Sequence, residues 1–496
     1  MLILRRVLFL CLLLVTFFNH SAWSRAGGAG GGSHSSGGSR SSGSSHSSSY
    51  HGGSTSFHGG YSGSSDDASI VFSLSLIVII VIVILTIAGK NSKKLSKERM
   101  FRQKYKIKKH QQLMSHPLFS DQDKQSLVQK VTHAFLTIEQ AWSDKRLDSM
   151  RRFISDGVYQ RFHAQYTMMN LLEQKNPMSN VKVLGVYVSK VEQEGGYDCV
   201  DVCIDATAQD QFICDKFKEL NSVGGTQEFT EYWSFIRRSN YKHGHDIFNH
   251  DTCPQCAAPI TGQLVEYARC PYCGTYINNG EYDWVLAEIT QDADYQHHTE
   301  KQWPTSGASK NQIVQVYKEF SRFTLEDRAS NIFMQALIGI AQRDLNTLMR
   351  FSTQAGYQSL QRQIKETPIA YNRLYTQSVD FLAATITDST LHAYVSIKYS
   401  SHMIELNAPT LTALSDNSIK SNQVVLLLVR TLHQDAPGKG SIYAGTCPHC
   451  GAPQKDSLSS ICAYCHAALN DARYDFVLDA WMSQDEFNTL LKKTSV

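Results

Sequence analysis

The sequence predicts an α+β protein made of two tandem modules, each closed by a four-cysteine ribbon. Three observations predict this fold class. Helical periodicity is followed by strand-like alternation twice, a short helical motif recurs at a constant offset, and two C-x-x-C pairs follow each strand region. Helices first and an antiparallel meander afterwards is an α+β order. The 496 residues, 42% hydrophobic and 19% charged, suffice for two or three globular domains.

The N-terminal region differs from the rest of the chain. Residues 1–24 have the pattern of a secretory signal peptide, in which two arginines precede an apolar run over 7–18 and a small-x-small cleavage pattern ends at Ser24. The alternative is a short anchor that stays uncleaved. Glycine and serine dominate residues 25–67. Because this composition cannot bury enough apolar surface to offset the entropy of ordering, a disordered spacer is predicted.

Residues 68–89 predict a transmembrane helix, because they contain no charged residue and can span ~30 Å of hydrocarbon. A basic neck over 90–117 follows, whereas Asp66 and Asp67 precede the span. This asymmetry places the C-terminal part in the cytoplasm. The neck would also attract anionic lipid headgroups, at about 1 kcal/mol per cation. The alternative is that the neck only sets the orientation of the chain in the membrane.

The first module is predicted over 118–292. Ser120 is the predicted N-cap of an amphipathic helix that runs to Trp142, and two shorter helical segments follow. Alternating apolar residues then predict antiparallel strands. These strand-like runs lie at 181–191, 199–206 and 229–237.

A linker at 293–312 leads to a second module over 313–490 with the same order. Leu345 and Tyr357 each lie 198 residues after their counterparts Leu147 and Tyr159. We infer a duplication. The strand-like runs of the second copy lie at 378–386, 392–399 and 423–432, with a return strand at 475–480.

Each module contains a ribbon, at 253–273 and 447–465, built on two C-x-x-C pairs. The eight cysteines are Cys253, Cys256, Cys270, Cys273, Cys447, Cys450, Cys462 and Cys465. Two such pairs can close four thiolates around one Zn²⁺ at ~2.3 Å, which leaves no position for water or substrate. We therefore expect two structural zinc ions and no catalytic metal. The neighbouring histidines are expected to be loop residues rather than ligands: His243, His245, His250, His449 and His466.

The remaining candidates carry weaker signals. Cys199, Cys203 and Cys214 are interpreted as ordinary thiols rather than a third metal site, since no fourth ligand lies nearby. Cys199 and Cys203 alternate with apolar residues, which predicts that they lie on the face of a strand opposite the apolar one. His133 on the first helix is a conceivable pocket residue, with a core or surface histidine as the alternative. Reduced thiols agree with a cytoplasmic location.

The charge of the ribbons argues against nucleic-acid binding. Between Cys253 and Asp292 the only basic residue is Arg269, against five acidic ones. The second ribbon is similarly acidic. Neither supplies the cationic surface that phosphate contacts require.

The segment 141–159, which reads AWSDKRLDSMRRFISDGVY, resembles the opening of the Tim-forty-four-like domain, and the second module retains a weaker version. The resemblance covers about two thirds of the chain and implies a helix-lined cone backed by a curved antiparallel sheet, similar to nuclear transport factor two-like proteins. Bacterial members commonly follow a signal sequence and one membrane helix. The ribbons depart from the mitochondrial import-motor anchor that names the family.

Together these features predict a membrane-anchored, non-enzymatic adaptor that resembles import-motor anchors and serves protein transport. It would sit in the inner membrane of a bacterium, crossing it once after signal cleavage, with the spacer outside and both modules in the cytoplasm, where they meet protein partners that the sequence does not identify. The alternative is a small-molecule-binding, lipid-binding or enzymatic module that uses the conical pocket.

Overall fold

The structure is a computed structural model, which describes residues 97–262, 264, 267–296, 303, 307–408, 419–432, 446–453 and 459–494. The predicted signal peptide, spacer and transmembrane segment lie outside these residues. None of the helices that the structure describes has the length and apolar character needed to cross a membrane. The described residues from His110 onward belong to one compact unit, and residues 97–109 belong to another.

The predicted neck is helical where it is described. Helix α1 covers residues 97–114, and its side chains up to Tyr105 are exposed to solvent. Exposed apolar side chains stand among its cations, with Phe101 73% and Tyr105 52% exposed.

The first module begins with two helices. Helix α2 (Asp121–Asp144) starts where predicted. The Ser120 side chain accepts a hydrogen bond from the Asp123 amide, and the Asp123 carboxylate accepts one from the Ser120 amide, which completes a capping box. Helix α3 (Asp156–Leu171) is capped by Ser155. Between them the predicted short helix is reduced to a 3₁₀ turn, Leu147–Ser149.

The first module continues with six antiparallel strands. They are β1 (Gln174–Lys175), β2 (Met178–Glu194), β3 (Tyr197–Cys214), β4 (Ser222–Val223), β5 (Gln227–Arg238) and β6 (Val285–Gln291). The long central strand β3 pairs with β2 on one side and β5 on the other, and β6 adds to β5 after the ribbon. The strands exceed the predicted runs because pairing continues beyond the apolar stretches.

The second module has the same order of elements, but the helices that follow its long helix are shorter than α3 of the first module. Its elements are α4 (Lys310–Val316), α5 (Arg322–Gln342), α6 (Leu345–Arg350), α7 (Gln354–Gln361), β7 (Ile369–Thr387), β8 (Thr390–Glu405), β9 (Lys420–Thr431), β10 (Val477–Met482) and α8 (Gln484–Thr494). The sheet order is β10-β9-β8-β7, and β10 is the predicted return strand after the ribbon. The α+β organisation is thus confirmed.

Individual contacts repeat between the modules. Lys130 on α2 pairs with Asp283, and Arg328 on α5, 198 positions later, pairs with Asp475. The Asn278 amide donates to the Ile154 carbonyl at 2.7 Å, and Asn470 donates to the Ser352 carbonyl at 2.9 Å. Equivalent helix and ribbon positions therefore meet in the same way twice.

Aromatic side chains fill the space between helices and sheet in the first module. Phe135 and Phe162 from the helices and Trp233 from β5 are fully buried in one core. Phe135 and Trp233 have ring centroids 5.4 Å apart. The core around Phe333 and Leu426 of the second module also includes residues of the first module, namely Ala164, Met168, Leu172, Cys214 and Phe217. The two modules therefore share part of this second core.

The face of β3 opposite the apolar one is not open to solvent. Cys199 and Cys203 are both buried. Cys199 packs with Tyr197 and Ile236, and Phe323 of α5 lies against them. The second module covers this face of the first, which the alternation of side chains along one strand could not indicate.

Candidate metal centres

The four C-x-x-C segments form the same turn. In each, the amide of the first cysteine donates to a carbonyl five residues later, and the amide four residues after that cysteine donates back to its carbonyl, as for Cys253 with Ala258 and Ala257 at 2.8 Å each. The residue that follows each second cysteine adopts a left-handed backbone conformation. These residues are Ala257, Gly274, Gly451 and His466. His466 is therefore a turn residue, as expected.

The turns bring the eight cysteines into two groups of four. Sγ atoms of Cys253 and Cys273 lie 3.7 Å apart, as do those of Cys256 and Cys270. In the second ribbon the Cys447–Cys465 separation is 3.6 Å and the Cys450–Cys462 separation 3.8 Å. In each group all four sulfurs lie within 4.8 Å of one another.

These separations fit a metal site and not a disulfide. A disulfide requires ~2.05 Å between sulfurs. Four thiolates placed tetrahedrally at ~2.3 Å from one ion are about 3.8 Å apart. Each group can therefore hold one metal ion with four sulfur ligands.

One thiol in each group is biased toward the thiolate form that a metal requires. Hydrogen bonds from the Thr275 side chain and amide lower the pKa of Cys273 to about 6. The amide of Cys465, together with that of Tyr464, lowers the pKa of Cys462 to about 6. Donors thus favour the thiolate at Cys273 and Cys462, whereas burial raises the pKa of Cys253 in the first group and of Cys447 in the second.

The first ribbon shares the core of its module. Cys253, Cys270 and Ile277 belong to the same buried cluster as the module's helices and sheet. Arg152 donates to the carbonyls of Ile247 and Phe248 at 2.6 and 2.7 Å. The Phe248 ring also stacks on Phe153, with centroids 5.2 Å apart.

The second ribbon is joined to its module more lightly in its described residues. Cys447, Cys462 and Leu469 form a small cluster of their own, separate from the module core. Asn470 connects it by donating to the Ser352 carbonyl, and Arg350 donates to the Leu469 carbonyl at 3.3 Å. The two ribbons therefore share a fold but differ in how far their metal site is built into the core.

His449 and His466 lie within and beside the cysteine turns of the second ribbon, and the other candidates lie outside the two cysteine groups. Within the residues that the structure describes, the two cysteine groups are the ones whose ligand atoms converge on a metal-sized space. The His245 ring packs edge-on against Tyr282 at 5.2 Å, and His243 lies 4.1 Å from the Tyr241 ring. His133 is half-buried beside Thr137. Cys214 donates to the Leu172 carbonyl, as an ordinary buried thiol does.

The junction between the modules holds polar residues that sequence reasoning missed. Asp327 on α5 accepts hydrogen bonds from the Ser155 hydroxyl at 2.5 Å and the Gly157 amide at 3.0 Å, at the start of α3. Arg328 pairs with Asp156 at 3.4 Å. In the sequence, the offset of 198 matches Arg328 with Lys130, and this match was the available signal for its importance. The match does not indicate that Arg328 contacts Asp156 of the other module.

Two cavities lie at this junction. One of about 90 Å³ is lined by seven carboxylates and Lys190. Several of these already have partners, since Lys190 binds Glu192 at 2.8 Å and Tyr295 binds Asp201 at 2.8 Å. The second cavity, of about 10 Å³, lies between α3, β1 and β7.

Comparison with known proteins places no family on this chain. No protein-family model matches it, and no curated protein matches it. Among solved structures it is similar to an Ntf2 like protein involved in plasmid conjugation, at 9% identity over 70% of this chain and 96% of that one, with a TM-score of 0.17. A TM-score this low supports no inference about fold or role.

Proposed function

We propose that this chain is a membrane-anchored, non-enzymatic adaptor whose two zinc-stabilised modules bind protein partners at the cytoplasmic face of a bacterial inner membrane, in protein transport. The observation that carries the proposal is the pair of four-sulfur groups at equivalent places in a duplicated scaffold. Four ligands complete a tetrahedral shell, so each ion would stabilise structure and leave no position for a reacting water.

Zinc is the metal that suits these sites. Tetrahedral all-thiolate sets bind Zn²⁺ or iron–sulfur centres, and sites built from two short C-x-x-C knuckles are typical of structural zinc. The eight cysteines would hold two ions, one per module. Each ion would link the two knuckles of its ribbon.

We also propose membership of the Tim-forty-four-like family, with its conical fold. The segment that resembles the family lies at the centre of the first module. Trp142 is buried and donates to the Asn176 side chain at 2.8 Å, and Phe153 and Tyr159 lie in the same core. The burial of these residues supports the proposed membership.

Anchoring in the membrane rests on residues 68–89 and on the neck. Helix α1 carries exposed cations together with exposed Phe101 and Tyr105. Cations near the surface of an anionic bilayer contribute about 1 kcal/mol each. Anionic lipid is therefore the proposed membrane partner of the neck.

The alternative function uses the conical pocket for a small molecule or a reaction. In the first module, fully buried aromatic side chains fill the space between the helices and the sheet, which argues against a ligand there. The acidic ribbons argue against nucleic acid as a partner.

Crosslinking in native membranes tests the proposal. The full chain should recover specific proteins that a control consisting of residues 1–117 does not, because the control keeps the anchor and neck but lacks both modules. Recovery of the same proteins with both chains, or of none across several growth conditions, would contradict the adaptor function.

A further inference from the structure

The two ribbons differ in the residue that directly precedes their third cysteine. Arg269 precedes Cys270 in the first ribbon, and Ile461 precedes Cys462 in the second. Both residues occupy the same place in the fold, because each forms an antiparallel bridge with the residue seven positions later. The duplication therefore offers a matched comparison between a basic and an apolar side chain beside a metal-binding turn.

The Arg269 side chain bonds to the turn that carries two of the four sulfurs of the first centre. Its Nε donates to the Gly274 carbonyl at 2.7 Å, and Gly274 directly follows Cys273. The Gly274 amide in turn donates to the Cys270 carbonyl at 2.9 Å. Arg269 thus adds a side-chain bond to the backbone bonds that close the turn between these two cysteines.

The residues around Arg269 are suited to this bond. Gly274 has a φ of 73°, and a methyl group placed on it would lie only 3.2 Å from Nη2 of Arg269. The guanidinium group also faces the Tyr276 ring, 5.5 Å from its centroid. In the second ribbon the positions of this glycine and tyrosine are taken by His466 and Ala468. Three neighbouring positions therefore differ together between the two copies.

The second turn keeps its backbone bonds but lacks the side-chain bond at this position. The Cys462 amide donates to the Ala467 carbonyl at 2.9 Å, and the His466 amide donates to the Cys462 carbonyl at 3.0 Å. Ile461 has no polar group in its side chain and is 54% exposed. Its side chain therefore cannot bond to the turn as Arg269 does.

We propose that Arg269 is a positioning residue of the first metal centre, which holds the turn of Cys270 and Cys273 in its metal-binding conformation and so slows the loss of the ion from this ribbon. The inference rests on the zinc binding proposed above. Groups that bond to the ligand segments of a metal site orient the ligands, and removing such groups typically costs 10–100-fold in metal affinity. Because Arg269 acts through the backbone beside a ligand, we expect the lower end of that range.

Release of zinc from the full chain into a chromophoric chelator tests the proposal. Hydrogen exchange within 267–280 and 459–470, recorded in parallel, assigns each released ion to its ribbon. Arg269→Met has a side chain of similar length without a donor, and it should speed release from the first ribbon about tenfold and leave the second unchanged. Arg269→Lys retains a donor and should restore most of the slow release.

The second ribbon allows the reciprocal experiment. Ile461→Arg combined with His466→Gly introduces the arginine together with the glycine that makes room for it. This double variant should slow release from the second ribbon several-fold relative to His466→Gly alone, which is the matched control.

Cobalt(II) in place of zinc separates this role from a general effect on the stability of the ribbon. Its absorption bands report the geometry of its ligands. Arg269→Met should alter the bands of one bound ion, whereas a residue that only stabilised the ribbon would leave them unchanged.

Two outcomes would overturn the inference and leave the zinc assignment intact. They are release of both zinc ions from Arg269→Met at the wild-type rates, and cobalt bands that this variant does not change. A folded chain that binds no zinc would instead contradict the metal sites themselves.

Discussion

At the scale of single residues, both modules keep an ion pair between a basic helix residue and an aspartate, but the burial of the pair differs. Lys130 and Asp283 are almost fully buried, with 2.6 Å between Nζ and Oδ2. The equivalent Asp475 instead lies between Arg328 and Arg430, at 3.4 Å from each, and both arginines are about one fifth exposed. Burial determines how costly it is to leave a charge without its partner.

We expect Asp283→Ala to destabilise the first module by about 3–5 kcal/mol, because it leaves the Lys130 ammonium buried and uncompensated. Asp475→Ala should destabilise the second module by only about 0.2–1 kcal/mol, because water reaches its two arginines. Urea unfolding of the full chain, followed by hydrogen exchange in each module, measures both. Equal losses in the two modules would show that burial does not govern these pairs.

At the scale of elements, the ribbons differ in their attachment. The first ribbon places two of its cysteines in the core of the module, and the second forms a separate small cluster in its described residues. Where only the metal connects a group of residues, the free energy of metal binding is also the free energy that keeps these residues folded. The first ion should therefore stabilise its whole module, and the second mainly its own ribbon.

The variants Cys270→Ser and Cys462→Ser test this difference. Metal analysis of the full chain should find two zinc ions, and each variant should lose one. Cys270→Ser should lower the unfolding midpoint of the first module by several degrees, whereas Cys462→Ser should increase hydrogen exchange mainly within 446–469. A well-folded chain without zinc would refute the metal assignment. A larger loss of midpoint with Cys462→Ser would refute the difference between the ribbons.

At the scale of the whole molecule, a side chain of the second module caps a helix of the first, and this contact joins the two modules. Asp327 of the second module accepts from Ser155 and Gly157 at the start of α3 in the first. A methyl group on Gly157 would lie 2.4 Å from the Asp327 carboxylate, so glycine allows this approach. Burial, and then the nearby Asp156, raise the pKa of Asp327 to about 6.

This raised pKa predicts how stability depends on pH. The carboxyl group binds its proton more tightly in the folded chain than in the unfolded one, where its pKa is about 3.9. The contribution of the protonated Asp327 carboxyl group to the free energy of unfolding is therefore fully present below about pH 4. It is lost as the pH rises through about 6. Asp327→Asn cannot ionise, and we expect it to stabilise the chain by about 1–2 kcal/mol at pH 7.5 and to have little effect at pH 4.

Thermal unfolding at both pH values measures this, with Glu319→Gln as the control for an exposed carboxylate just before α5. The control should change stability by similar small amounts at the two pH values. A destabilising effect of Asp327→Asn at pH 7.5 would mean that the ionised carboxylate is the better cap for α3.

The sequence by itself determined the local structure and the metal-binding groups. The Ser120 cap, the helical periodicity that follows it, and the order of helices and strands all depend on neighbouring residues. The C-x-x-C spacing likewise brings cysteines together through one short turn. Such features are predictable because their causes lie within a few residues, although the length of β3 and the 3₁₀ turn at 147–149 depended on pairing and packing with distant segments.

Only the tertiary structure decided how the two modules meet and how far each ribbon is built into its core. The sequence placed Cys199 on the strand face opposite the apolar one, and only the structure shows that Phe323 from the other module covers it. The cap at Asp327 joins residues more than 150 positions apart. No periodicity or spacing records such contacts, because they arise when two already folded surfaces pack against each other.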